Sequence, residues 1–246
     1  MAEFKFPTET IDLPSKGLIY PESSPLSKGV VEMKYMTAKE EDILTNQAYI
    51  KKGVVFDKLI KSLIVTEGVD VDDLIIGDKN AILIASRILG YGADYKFSYD
   101  GKEQSVDLTS LDNKVIDESL FTKGKNEFFF TLPTSKVAIS FKLLTGKDEK
   151  AIEAELEGLK KISKDNSPEL TTRLKQMVLS VDGNPDKKAI REFVDNYLLA
   201  KDSRELRKYI QEIQPDVNMT VAVETSSGLE EEIELPIGLN FFWPES

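Results

Sequence analysis

The sequence predicts an α+β fold: a helical cluster beside antiparallel β-hairpins that form a sheet, with a helical bundle inserted. Three observations carry this. Residues 37–92 and 146–214 space their apolar side chains at helical intervals. Residues 93–143 and 215–235 alternate apolar and polar side chains, as half-buried strands do. Turn formers stand between the alternating runs, at Asp100-Gly101, Pro133-Thr134-Ser135 and Ser226-Ser227-Gly228. The chain therefore divides into an extended arm over 1–28, a mixed core over 29–145 and 215–246, and a helical insertion over 146–214.

The arm holds Pro7, Pro14, Pro21 and Pro25, and each proline fixes its own φ and disfavours helix in the residue before it. Yet Phe4, Phe6, Ile11, Leu13, Leu18, Ile19 and Tyr20 recur along it, which a solvated linker would not need. Docking on its own domain is favoured over docking on a partner. Val30 to Tyr35 has strand content. Thr37 and Glu40 form a capping box that opens a helix running through Ile50 to Gly53. Phe56, Ile60, Leu63 and Ile64 mark a second helix, ended by Gly68.

Gly77 to Gly92 organises the rest. Asp78 is placed to cap a helix whose only polar members further along are Lys79, Asn80, Ser86 and Arg87. A polar stripe that narrow implies a helix covered on most sides. Gly90 and Gly92 are expected to stop it. It is too short to cross a bilayer, which needs about 20 apolar residues. Tyr95, Phe97 and Tyr99 then alternate into the Asp100-Gly101 turn, and residues 127–132 and 136–143 make a second hairpin.

In the insertion, Ile152 and Leu156 begin one stripe. Leu170, Leu174, Met177, Val178 and Val181 make a second, read as a single helix. Ile190 to Leu198 and Leu206 to Ile213 supply two more. After Pro215, residues 217–224 and 231–235 return to strand and are expected to rejoin the sheet of 93–143.

The 246 residues contain 32 Lys and Arg against 43 Asp and Glu, a net charge of −11. That sign repels nucleic acid and anionic membranes at long range. With no cysteine and no histidine, disulfides, thiolate nucleophiles, Ser-His-Asp catalysis and the common zinc ligands are excluded. No secretory signal pattern opens the chain, so a cytosolic origin is expected.

Asp70, Asp72, Asp73 and Asp78 form an acidic cluster. It lacks the glycine and terminal glutamate of a calcium loop. Helix-start carboxylates facing the positive dipole end explain it better than a metal site. Lys51-Lys52 and Lys58 with Lys61 read as solvated helix faces. Gly90-Tyr91-Gly92 follows a helix, so it is no dinucleotide loop. Phe241-Phe242-Trp243-Pro244 places three aromatics near the end of the chain, where they should be tucked into a core or into a partner.

Five segments together resemble the baseplate hub subunit and hub-assembly family of T-even-type contractile-tailed bacteriophages. They are Leu13-Pro-Ser-Lys-Gly-Leu-Ile-Tyr-Pro21, Met36-Thr-Ala-Lys-Glu-Glu-Asp-Ile-Leu44, Asp78-Lys-Asn-Ala-Ile-Leu83, Arg87-Ile-Leu-Gly-Tyr-Gly92 and Phe241-Phe-Trp-Pro244. The resemblance leaves out the helices of 146–214. Some relatives carry a Cys-x-x-Cys pair in the first hairpin; here that region is Phe97 to Gln104 without cysteine, so no metal role is carried over.

The resemblance implies a non-enzymatic protein without cofactor, acting through contacts with other phage baseplate hub or tail proteins. It would work in the cytoplasm of the infected bacterium and, if it stays in the particle, in the virion tail baseplate. The expected partner-binding residues are Leu13, Pro14, Leu18, Tyr20, Phe241, Phe242 and Trp243. No catalytic or metal-binding residue is assigned, and self-association is left open. Two rival readings are a carboxylate-dependent Mg²⁺ enzyme using Asp70, Asp72 and Asp73, and a general tail-assembly chaperone.

Overall fold

The computed structural model describes residues 7–162 and 168–242. Phe4, Phe6 and Trp243 lie outside the described residues. The fold is α+β, with eight α-helices and nine strands among the described residues.

Strand β1 (Thr8–Asp12) pairs antiparallel with β2 (Val30–Lys34), Ile11 opposite Val31. Between them the chain makes a tight loop, closed by a 2.8 Å bond from Leu13 N–H to the Gly29 carbonyl. Gly17 and Gly29 both have positive φ and meet backbone to backbone; a Cβ on Gly29 would stand 2.7 Å from Lys16. Leu13, Ile19, Tyr20 and Leu26 bury themselves in the chain's own core. The described part of the arm is thus a hairpin strand and a packed loop.

The Thr37–Glu40 box opens α1 (Ala38–Leu44) as expected. The helix then breaks at Thr45, because the Asn46 side chain accepts from Ala48 and Tyr49 N–H and starts a new one, α2 (Gln47–Lys51). Helix α3 (Val55–Leu63) and the central α4 (Ile76–Tyr91) follow. Helix α4 starts before Asp78, with Ile75 at its cap position, and ends at Gly92, which has φ of 87°. Gly90 is inside the helix, and a Cβ there would meet Met36 at 2.6 Å. Its partner at the other end is Gly77, where a Cβ would collide with the Pro215 carbonyl.

Strands β3 (Asp94–Tyr99) and β4 (Lys102–Asp107) turn at Asp100-Gly101, both with positive φ, as a two-residue hairpin needs. Strands β5 (Phe128–Thr131) and β6 (Ala138–Phe141) follow. Helices α5 (Gly146–Ile162) and α6 (Glu169–Met177) then lead into β7 (Val178–Val181). The expected single helix over 170–181 is therefore corrected. Two β-branched valines and the positive-φ turn Asp182-Gly183 end it, and β7 joins β6 as a third strand. The stretch 146–214 is not purely helical. It finishes with α7 (Lys187–Asn196) and α8 (Ala200–Ile213). At the start of α8, buried Asp202 accepts from Thr134 and Ser135 N–H at 2.7 and 2.9 Å, fixing the β5–β6 turn.

The last strands, β8 (Thr220–Glu224) and β9 (Glu230–Glu234), form their own hairpin. The hairpins do not merge into one sheet; the described strands form four small ones. The expected rejoining is replaced by side-chain stitching. The Gln104 amide donates to the Glu224 carbonyl at 2.9 Å and accepts from its N–H at 3.2 Å, as a neighbouring peptide would. Asp100 accepts from Ser226 N–H at 2.7 Å and from its hydroxyl at 2.6 Å. Among the described residues, only Asn113 and Val217 form a backbone bridge between the two regions.

Candidate functional site

The five segments that carry the family resemblance converge on α4. At its first turn Asp78 is fully buried. It does not cap its own helix. One carboxylate oxygen accepts from Ser15 N–H at 2.9 Å and the other from the Tyr20 hydroxyl at 2.5 Å. The Tyr20 oxygen in turn accepts from Ile75 N–H at 3.2 Å, satisfying a free donor at the helix start. Burial pushes the Asp78 carboxyl up to about 6, against the hydrogen bonds from Tyr20 and Ser15 that pull it down; Asp216 pushes the same way as burial. Burial, and then the Asp78 charge, raise the Tyr20 phenol well above its ordinary value.

At the other end Arg87 is also buried, without a carboxylate partner among the described residues. Its fork donates to three carbonyls: Phe241 at 2.9 Å, Gly92 at 2.7 Å and Asp94 at 3.2 Å. One guanidinium thus closes α4, aligns the start of β3 and holds the C-terminal aromatic segment. The rings of Tyr91 and Tyr95 lie 5.5 and 5.9 Å from it. Phe241 stacks edge-on against Tyr95 at 4.9 Å, and Phe242 meets Phe56 at 5.8 Å. Glu40 makes a separate buried junction between β2, the start of α1 and α3. It accepts from Thr37 N–H, the Thr37 hydroxyl, Lys34 and Ser62. Burial pushes this carboxyl up, but the bonds from Ser62, Lys34 and Thr37 prevail and leave it at about 2.

These placements change the reading of the expected partner-binding residues. Leu13, Pro14, Tyr20, Phe241 and Phe242 are buried against the chain's own helices. Their aromatic and aliphatic surface packs inside the fold of the chain itself. Leu18 is half-buried, and Trp243 lies outside the described residues. Sequence patterning missed Ser15 and Arg87 as structural keys, because both bonds span segments distant in sequence.

Asp70, Asp72 and Asp73 of the acidic cluster pair with lysines of α5, and Asp78 stands apart from them. Lys147 reaches Asp73 at 2.6 Å and Asp70 at 3.1 Å, and Lys150 reaches Asp72 at 2.5 Å. Asp70 also caps the turn after it by accepting from Asp72 N–H at 3.1 Å. No group of three potential metal-ligating side chains is gathered among the described residues. A cleft of about 650 Å³ opens between α3, α4 and α5, floored by Phe56, Ile60, Ile76 and Leu83. Its cations Lys79 and Arg173 are held by Asp57 and Glu149, each at 2.7 Å. Among the described helices none is long and apolar enough to cross a membrane.

Against known proteins, neither the curated proteins nor the solved structures contain a match. A family model described as T4 bacteriophage base plate protein matches residues 9–243. The match takes in 146–214, so that stretch belongs to the family's common span, contrary to the expectation that the likeness stops short of it. It also takes in all the residues that clamp α4, from Ser15 to Phe241. The chain belongs to the T4 bacteriophage base plate protein family.

Proposed function

We propose that this protein is a component or assembly factor of the phage baseplate hub, working without catalysis through contacts with other hub or tail proteins. The observation that carries the reading is how the buried ionisable groups are used. Asp78, Arg87 and Glu40 each hold segments of the chain together, and the bonds they make are structural. The family's role in the base plate supplies the setting, and an acidic, well-clamped scaffold suits a part that presents surfaces to neighbours. In this reading the arm offers half-buried Leu18 to a partner, and Trp243 belongs to the tail contact proposed from sequence.

The test is recovery of a tagged chain from infected cells, with its companions compared with the proteins of purified virions. Base plate proteins among the companions support the reading. The chain's presence in virions then makes it a resident subunit, and its absence makes it an assembly factor. Recovery of no tail protein refutes the reading.

A further inference from the structure

The outer edge of β5 carries no charge; among the described strands this is shared with β7 at the far side of the same sheet, but β7 lies against α6 and α7. Exposed edges are ordinarily guarded by charge, which discourages pairing with a foreign strand. Strand β1 carries Glu9 and Asp12, β3 carries Asp94 and Lys96, and β9 carries four glutamates. Strand β5 reads Phe128-Phe129-Phe130-Thr131 and carries none. Among the described strands it pairs only with β6. Leu132 N–H donates to the Val137 carbonyl at 2.9 Å, and bonded pairs alternate along an antiparallel ladder. Phe128 and Phe130 therefore bond toward β6, while the N–H and C=O of Phe129 and Thr131 point outward. No loop or side chain of the described residues bonds to them.

The side chains divide the same way. Phe128 packs on Phe121 and Phe141, and Phe130 stacks on Tyr209 at 4.8 Å. Phe129 stands 72% exposed on the opposite face. It borders a shallow hollow of about 210 Å³ lined by Thr131, Ala138, Ser140 and Ser180. The flanks are net basic in an otherwise acidic chain, three lysines against the single carboxylate of Glu127. Lys123 and Lys125 precede the strand and Lys136 follows it, all exposed and without an ion pair among the described residues. Two copies pairing β5 antiparallel about Phe130 would bring Lys125 of each to the Lys136 end of the other. Lysines outnumber Glu127 at each such end, which disfavours a second copy and favours a strand ended by carboxylates.

We propose that the free edge of β5 receives an extended strand of a partner protein, with small or β-branched side chains at its centre and acidic residues at its ends. This deepens, and rests on, the reading that the chain works through protein contacts. The test uses the full chain, isotope-labelled, with the synthetic peptide Glu-Glu-Val-Thr-Val-Thr-Glu-Glu as probe. Amide exchange at Phe129 and Thr131 should slow by about tenfold or more on adding the peptide. Thr131→Pro, which removes one outward N–H where edge strands tolerate proline, should abolish the effect. Phe129→Lys should do the same at an exposed position. A lysine-ended peptide should bind about tenfold or more weakly.

Unslowed exchange, equal binding of both peptides, or a dimer of the parent chain that Thr131→Pro dissolves would each overturn the proposal. No phage protein enters this experiment. Its failure therefore leaves the base plate reading to be judged by the recovery experiment.

Discussion

Asp78→Asn is the substitution that tests the clamp on α4 most sharply. In the folded chain burial moves the Asp78 carboxyl from 3.8 to about 6. At about 1.4 kcal/mol per pKa unit, its charged form is disfavoured by about 3 kcal/mol on folding. The raised value means that the folded chain binds the extra proton. This group's contribution to stability is fully present below pH 3.8 and is lost as pH rises through 6. Asparagine keeps the shape, accepts from Ser15 N–H and donates to the Tyr20 oxygen, but the Tyr20 hydroxyl loses its carboxyl acceptor. That costs about 1 kcal/mol at every pH.

The variant should therefore be about 1 kcal/mol less stable than the parent near pH 4 and more stable by about 2 kcal/mol at pH 7.5. Urea titrations followed by circular dichroism at steps from pH 4 to 7.5 would read the difference. Subtracting variant from parent removes the titration of the remaining carboxylates. A constant gap across the range, or one that moves the other way, would refute the reasoning that burial controls this carboxyl.

Four further outcomes follow from the same geometry. Arg87→Lys should destabilise by about 2–4 kcal/mol, read as a lower urea midpoint, because an ammonium cannot span three carbonyls with a fixed fork. Gly77→Ala should lower the thermal midpoint by an amount equivalent to about 1–3 kcal/mol, since its Cβ would meet the Pro215 carbonyl. Glu40→Ala should cost about 3–5 kcal/mol by stripping a buried carboxylate from Lys34, Ser62 and Thr37. With Glu40 held at about 2 in the fold and 4.5 unfolded, its contribution is present above pH 4.5 and lost as pH falls through 2. That acid-side slope should flatten in the variant. Millimolar Mg²⁺ should leave the melting midpoint unchanged, whereas a tight site would add about 2.7 kcal/mol at one hundred times Kd.

What could be read in advance was what local chemistry fixes. The Thr37–Glu40 box, the Asp100-Gly101 turn and the burial of α4 rest on neighbours a few residues apart, and periodicity exposes them. The readings that changed depend on distant partners. Asp78 looks like a helix cap until Ser15 and Tyr20, some sixty residues earlier, take its oxygens. Arg87 looks like one member of a narrow polar stripe, because nothing near it in sequence announces the Phe241 carbonyl. Residues 170–181 fit a helical stripe, yet Val178, Val181 and the Asp182-Gly183 turn were a legible cue for a strand. Tyr20, Phe241 and Phe242 are buried in the chain's own core, and composition alone does not say whose core an aromatic enters. The unguarded edge of β5 is visible only when every strand edge is compared in the fold.

The central claim is that this chain builds the base plate through protein contacts. It is tested most directly by deleting its gene from the phage that encodes it and examining lysates of infected cells by electron microscopy. The account predicts that assembled base plates disappear and return when the purified full chain is added. Normal numbers of base plates without the chain would contradict it.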